Sequence, residues 1–393
     1  MNAPASRAHV QSFAVQFDYP VVFTRGVFDP RNPALADVLT RRAADRRRVR
    51  VAFFADAGLQ AAWPDLMERA AVYFRAHADR IETVGSPRVV PGGEPIKNDP
   101  RFVWKLAGEL LRGGLDRHAC VVVAGGGAVL DAVGFAAALP HRGLRLVRLP
   151  STTLSQADSG VGVKNGVNRG AVKNALGVFA PPFGVVNDLD WLRTLSDADW
   201  MAGVAEAIKV AVIRDAAFFR ELGALASDLR RRDDAAMERA VRRCAELHLD
   251  HIRTAGDPFE QGTARPLDFG HWSAHALESL SRNRVGHGAA VAFGIRLDTR
   301  YAWRRGWLDA AGAEAVTGLL DRCGFPKWHS ALERRGRDGR PAVLEGIERF
   351  REHLGGRLAL TFPRGIGWAF ETDEVDPALV GRCLEELRQA ARQ

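Results

Sequence analysis

The sequence predicts an α/β amino-terminal domain on a largely parallel sheet, followed by an all-α carboxy-terminal domain. Three observations carry that prediction. Short β-branched runs alternate with amphipathic stretches through the first half of the chain. One of those runs ends in a Gly-Gly-Gly turn that opens a helix. Beyond Leu189 the strand signals fade, and helical patterns run over 198–224, 234–254, 271–282 and 287–306.

The clearest strands are Arg48 to Asp56 (RVRVAFFAD), Ala119 to Ala124 (ACVVVA) and Leu144 to Leu149. At 393 residues and 47% hydrophobic content, the chain can bury two cores, divided as 1–190 and 191–393 with residues 1–10 as a loose arm. It has no apolar run of the roughly 18 residues a membrane helix needs and no secretory stretch, so a cytoplasmic protein is expected. Cys120, Cys244, Cys323 and Cys383 form no CxxC pair, which argues against a disulfide framework or a cysteine-zinc site.

A net charge of +8 and an Arg-rich stretch at 41–50 raise the question of nucleic acid. Acids are interleaved with the bases, as in Arg230-Arg231-Arg232-Asp233-Asp234, so a solvated surface is the better reading and no nucleic-acid or membrane partner is expected. Of 55 basic residues only six are lysines, and four of them, Lys97, Lys164, Lys173 and Lys209, fall inside the motifs below. A lysine kept where arginine is otherwise used suits a site that needs a compact ammonium group.

The strand at 119–124 runs into Gly125, Gly126 and Gly127 and then a helix from Ala128, leaving amides at a helix N-terminus for a pyrophosphate. A bare GGG turn is by itself as often structural. Asp131 lies one turn into that helix, and Asp56 ends an earlier strand, where it could accept ribose hydroxyls or simply cap a helix. The loop Gly93-Glu94-Pro95-Ile96-Lys97 and the Ser151-Thr152-Thr153 turn sit where ligands bind an open sheet.

Asp158 to Asn168, with Lys173 and Asn174, packs two of the rare lysines, an aspartate, amides and glycines into one stretch. That composition suits a phosphate or polyol better than a solvated loop. Ala202 to Ile213 (AGVAEAIKVAVI) is apolar all round except for Glu206 and Lys209, so these charges must be paired with each other or held by a metal. His271 and His275 lie one turn apart, and His287 opens another apolar helix. Two imidazoles with a carboxylate form a catalytic-zinc type of set, and the absence of HExxH argues against peptide hydrolysis.

The blocks GGGAVLDAVGF, HRGLRLVRLPSTTLSQADSGVGVKNGVN, AVKNALGVF, AGVAEAIKVAVI, LDFGHWSAHALE and HGAAVAFG resemble, in order and spacing, those of 3-dehydroquinate synthase and related sugar phosphate cyclases, over residues 50–300. The resemblance implies a Rossmann-like NAD domain and a helical domain. It implies that Glu206, His271 and His287 bind zinc or cobalt, with His275 close by. Asp56, Glu94, Lys97, Gly126, Gly127, Asp131, Thr152 and Thr153 would contact NAD, with Lys164 and Lys173 near it. Asp158, Lys164, Lys173, Asn174 and Lys209 would meet the substrate, and Arg142 would reach the phosphate in a partner's site, which implies a homodimer.

This chain departs from the synthases at Asp268, where they carry Asn, and at His353, where a lysine is usual. The arginine before LNFGH is displaced to Arg265, and a gapless count puts another usual lysine at Asp250. Two aspartates in place of an amide and a cation repel a substrate carboxylate by a few kcal/mol. The expected substrate is therefore a carboxylate-free ketose phosphate, which puts the chain with the sedoheptulose 7-phosphate cyclases or with the operon-encoded cyclase homologues of secondary metabolism. The alternatives are 3-dehydroquinate synthase acting on 3-deoxy-arabino-heptulosonate 7-phosphate, a metal-dependent alcohol dehydrogenase, and an inactive binding module.

Overall fold

The apolar runs of the first half pair into a single parallel sheet. The structure is a computed structural model describing residues 8–43, 48–170, 172–255, 257–259, 267–353 and 358–392, with the His353 side chain also outside the description. The strands are β1 (Val21–Thr24), β2 (Val49–Asp56), β3 (Ile81–Thr83), β4 (Arg88–Val90), β5 (Cys120–Gly125), β6 (Arg145–Pro150), β7 (Lys164–Arg169), β8 (Val172–Phe179) and β9 (Gly184–Asp188). The sheet order is β1-β9-β6-β5-β2-β3, with β4 also on β2, and each of these pairings is parallel.

Parallel neighbours need crossovers, which α1 (Ala34–Thr40), α2 (Ala57–Ala62), α3 (Leu66–Ala76), α4 (Pro100–Arg112) and α5 (Gly127–Ala138) supply. Their apolar faces cover both sides of the sheet. Val51, Phe53, Cys120 and Val122 pack with Phe28, Leu35, Tyr73 and Phe74, while the alternate residues Ala52, Phe54, Val121 and Val123 pack with Val103, Leu106, Val129 and Val133. Every strand of this sheet therefore delivers its carboxyl end to the same edge.

The second half comprises α6 (Asp197–Arg214), α7 (Ala216–Arg230), α8 (Asp234–Thr254), α9 (His271–Leu280), α10 (His287–Arg304), α11 (Ala310–Arg322), α12 (Glu345–His353) and α13 (Pro377–Ala390). A two-stranded antiparallel ribbon, β10 (Leu360–Pro363) and β11 (Ala369–Thr372), accompanies them. The pattern over 198–224 resolves into two helices because Asp215 is extended, and its carboxylate accepts from the Ala217 and Phe218 amides to start α7. Among the described residues no helix is long and apolar enough to cross a membrane.

The polar stretch after Asp158 is a hairpin rather than a loop, since β7 and β8 pair antiparallel. Gly166 faces Gly177, and a Cβ on Gly166 would lie 2.8 Å from the Leu176 carbonyl oxygen, so both positions admit only glycine without displacement.

Candidate active site

The carboxyl edge of the sheet brings together Asp56 at the end of β2, Gly125 at the end of β5 and Pro150 at the end of β6, with Gly125 and Pro150 in register. Gly126 caps α5 in an extended conformation, and a Cβ on Gly127 would come within 2.7 Å of Ser159 Oγ. The backbone can approach a ligand here because side chains are missing. Asp56 Oδ1 accepts from the Gly58 amide at 2.6 Å, so in this structure the carboxylate caps α2.

Lys97 is buried and donates to Asp131 Oδ2 at 2.8 Å, and it also contacts Asn174 Oδ1. Asn168 donates to Glu94 Oε1 at 2.7 Å and accepts from the Asn174 amide at 2.8 Å. Glu94, Lys97, Asp131 and Asn174 thus form one polar network that ties α5 to the β7–β8 hairpin. Burial raises the Asp131 carboxyl, although Lys97 opposes that shift. Thr152 is paired with Ser155 at 2.8 Å. Thr153, expected at the cofactor, is instead fully buried, and its hydroxyl donates to the Asp199 carbonyl and accepts from the Gly203 amide of α6.

Three helices converge opposite that edge. Glu206 Oε1 of α6 lies 3.2 Å from His287 Nε2 of α10 and 3.6 Å from His271 Nε2 of α9. One ligand atom from each of the three falls within 4.8 Å of the others, close enough to share one ion. Glycine makes this approach possible. A Cβ on Gly288 would sit 2.3 Å from Ala202 Cα in α6, and one on Gly294 would sit 1.9 Å from the Gly270 carbonyl at the start of α9. Gly270 itself has φ +80°, and Asp298 holds this turn by accepting from the Gly270 amide at 3.0 Å and Trp272 Nε1 at 2.9 Å. His271 is thereby locked from both sides.

The set of one carboxylate and two imidazoles fits zinc or cobalt and leaves coordination positions open for substrate oxygens. Burial alone would raise Glu206, but Lys209 Nζ, 2.5 Å from Glu206 Oε2, and His287 hold it low. Burial also lowers His271, with Lys209 adding to the effect. His287 is pulled down by burial, yet Glu206 and Glu278 raise it to about 10. The buried pair foreseen as the plain alternative, Glu206 with Lys209, thus coexists with the imidazoles rather than replacing them.

Lys209 also lies 3.6 Å from Asp158 Oδ2, and Asp158 Oδ1 lies 3.0 Å from His248 Nδ1. Asp158 is carried on a π-helical turn, Ser155–Ser159, packed against α6 and α8. The segment after it is held by Arg148, which is completely buried and donates to the carbonyls of Gly160, Gly162 and Lys164 and to Asn165 Oδ1, at 2.7–3.2 Å. Asp268 is half-buried and near enough to help raise Lys209. Lys164 starts β7, and Lys173, in β8, reaches Glu278 Oε1 at 3.5 Å.

The remaining expected residues lie elsewhere. Arg142 precedes β6, at the end of the strand opposite Ser151 and Thr152, and so is not brought to the crevice of its own chain. Arg265 lies outside the described residues, as does the side chain of His353. Asp250 does not face the site: it is exposed and paired with Arg253 at 2.9 Å. Two positions earlier on α8, on the other side of the helix, His248 occupies the place against Asp158. Burial lowers its pKa, although Asp158 pulls the other way. Sequence reasoning missed His248 and also Glu278, a buried acid three residues after His275 and seven after His271.

Known proteins resemble this chain in sequence and fold. Family models for the N-terminal and C-terminal parts of 3-dehydroquinate synthase match residues 88–202 and 203–337. The 3-dehydroquinate synthase of Halorhodospira halophila (strain DSM 244 / SL1) is 38% identical over 278 residues, 70% of this chain and 76% of that one. Among solved structures, the 2-epi-5-epi-valiolone synthase ValA of Streptomyces hygroscopicus subsp. jinggangensis 5008, with NAD+ and Zn2+ bound, has a TM-score of 0.84 at 27% identity, covering 97% of this chain and all of that one. A 2-deoxy-scyllo-inosose synthase complexed with carbaglucose-6-phosphate, NAD+ and Co2+ shares the fold, with a TM-score of 0.69 at 20% identity over 93% of this chain and 96% of that one. A pair of matched models covering both halves, a relative of this identity and the convergent Glu206, His271 and His287 lead to one conclusion: the chain belongs to the 3-dehydroquinate synthase family of sugar phosphate cyclases.

Proposed function

We propose that the enzyme closes a carboxylate-free ketose phosphate, of the sedoheptulose 7-phosphate type, into a carbocycle with elimination of phosphate, using NAD and zinc or cobalt. In this reading residues 1–190 carry NAD, and residues 191–393 supply the ion-binding groups and most of the substrate wall. The observation that carries it is the row His248, Asp158, Lys209, Glu206, which places an imidazole and carboxylates beside the metal-type triad. Such a wall offers hydrogen bonds to hydroxyls, and its cation, Lys209, is already paired with Glu206 and Asp158. With Asp250 turned to solvent, the repulsion falls to Asp158 and Asp268. The likeness to ValA, a 2-epi-5-epi-valiolone synthase, supports this reading.

A bound divalent ion would supply Lewis-acid polarisation of a secondary alcohol and NAD a reversible hydride acceptor, acidifying the adjacent C–H so that phosphate can leave before the hydride returns. The chain's own groups do the rest. Lys164 and Lys173 offer ammonium groups to the phosphate, and Arg142 of the partner subunit completes that site in a homodimer. Asp158 and His248 orient hydroxyls, while Lys209 keeps Glu206 ionised. His275, half-exposed with Nδ1 held 2.9 Å from Glu278, presents Nε2 as the atom that exchanges a proton with the reacting sugar.

The test is phosphate release from a panel of heptose, hexose and heptulosonate phosphates in the presence of NAD and zinc or cobalt. Release from a ketoheptose phosphate without net NADH is the expected result. Preferential turnover of the heptulosonate would instead make the chain a 3-dehydroquinate synthase, the reading that the 38% identical relative favours. Net NADH would mark an alcohol dehydrogenase, and no release from any sugar would overturn the cyclase reading.

A further inference from the structure

We propose that Glu278 is the outer carboxylate that fixes the ring of His287 and thereby sets the affinity of the site for its metal ion. The inference rests on the metal-site reading above and goes beyond it, since Glu278 is not among the three ligands. The side chain of Glu278, the one acid of α9, is only 8% exposed. Its two oxygens are divided among neighbours. Oε2 lies 2.9 Å from His275 Nδ1, while Oε1 lies 3.4 Å from His287 Nδ1 and 3.5 Å from Lys173 Nζ.

The geometry of His287 decides what this contact does. Nε2 points to Glu206 at 3.2 Å and Nδ1 points to Glu278, so the ring is strung between two carboxylates. A neutral imidazole carries one N–H. When Nε2 gives up its proton for an ion, Nδ1 donates to Glu278 and the Nε2 lone pair faces the position shared with Glu206 and His271. His271 is arranged in the same way, because its Nε2 faces Glu206 and its Nδ1 lies 3.3 Å from the Phe269 carbonyl oxygen. One imidazole is thus oriented by a backbone carbonyl and the other by a full negative charge. A charged acceptor also makes the imidazole a stronger donor to a cation, which is the usual effect of a carboxylate behind a metal-binding histidine.

The test uses full-length apo-protein and zinc titrated against a chromophoric chelator. Glu278→Gln is expected to weaken zinc binding by about 10- to 100-fold. NAD affinity and the unfolding temperature of the apo-protein should stay close to wild type. The visible absorption of the cobalt-loaded variant should differ from wild type, a change that a merely structural role would not produce. His275→Ala, which removes the other ring held by Glu278, should leave zinc affinity within about two-fold if the effect runs through His287. Zinc binding by Glu278→Gln equal to wild type overturns the proposal, as does a loss matched by an equal fall in NAD affinity and unfolding temperature. Glu206→Ala separates the two readings. If wild type binds zinc no better than this variant, the metal-site reading itself has failed, whatever Glu278 does.

Discussion

Replacing Arg148 by methionine tests whether the substrate loop is held from beneath. The guanidinium is fully buried in β6 and makes four contacts of 2.7–3.2 Å, to three backbone carbonyls and to Asn165 Oδ1. Methionine fills similar space but donates nothing, so these buried acceptors lose their partner with no water to replace it. At roughly 1 kcal/mol for each acceptor left unpaired, the change costs about 4 kcal/mol, less the relief of no longer burying a charge. Arg148→Lys retains one donor group and should lose about half as much. The readouts are urea unfolding followed by circular dichroism and the KM for the sugar phosphate, since the segment held by Arg148 connects Asp158 to Lys164. A methionine variant within about 1 kcal/mol of wild type and unchanged in KM would refute the argument, because each acceptor is assigned about that much.

Three further outcomes follow from the same geometry. Gly294→Ala places a Cβ 1.9 Å from the Gly270 carbonyl, so it should destabilise the protein by about 2 kcal/mol or more in urea unfolding and weaken zinc binding by parting α9 from α10. His248→Lys puts a cation against Asp158 and should shift the ratio of kcat/KM values toward a heptulosonate phosphate by at least about ten-fold in competition assays; no shift would remove His248 from the substrate wall. Asp298 is raised by burial to about 7 from its ordinary 3.8, so its neutral form is favoured in the folded chain. Its contribution to stability is therefore complete below pH 3.8 and is lost as the pH rises through 7. Compared with Asp298→Asn, wild type should lose up to about 4 kcal/mol between pH 4 and pH 8 in urea midpoints.

What could be read from the sequence divides along physical lines. β2, β5 and β6 were located to within one residue because fully buried parallel strands are nearly continuous apolar runs. The break at Asp215 was invisible to periodicity, since the apolar stripe continues across the cap that separates α6 from α7. The β7–β8 hairpin escaped because β8 is exposed along its whole length and shows no alternation of buried and exposed residues. At the site, Glu206 and Lys209 stand out as the only charges in the apolar stretch Ala202 to Ile213. Glu278 did not, because an acid on a helix usually faces water, and its spacing from His271 and His275 was the only hint. The error at Asp250 came from counting back from Asp268 without gaps. Two positions on a helix is a turn of roughly 200°, enough to exchange the buried face for the solvent face.

The most direct measurement is a zinc-edge anomalous difference map from crystals grown with NAD and zinc. The strongest peak is predicted to lie about 2.0–2.2 Å from a Glu206 carboxylate oxygen, His271 Nε2 and His287 Nε2 together. A strongest peak bound through His275 and Glu278 instead, or no peak among the three helices, would contradict the account.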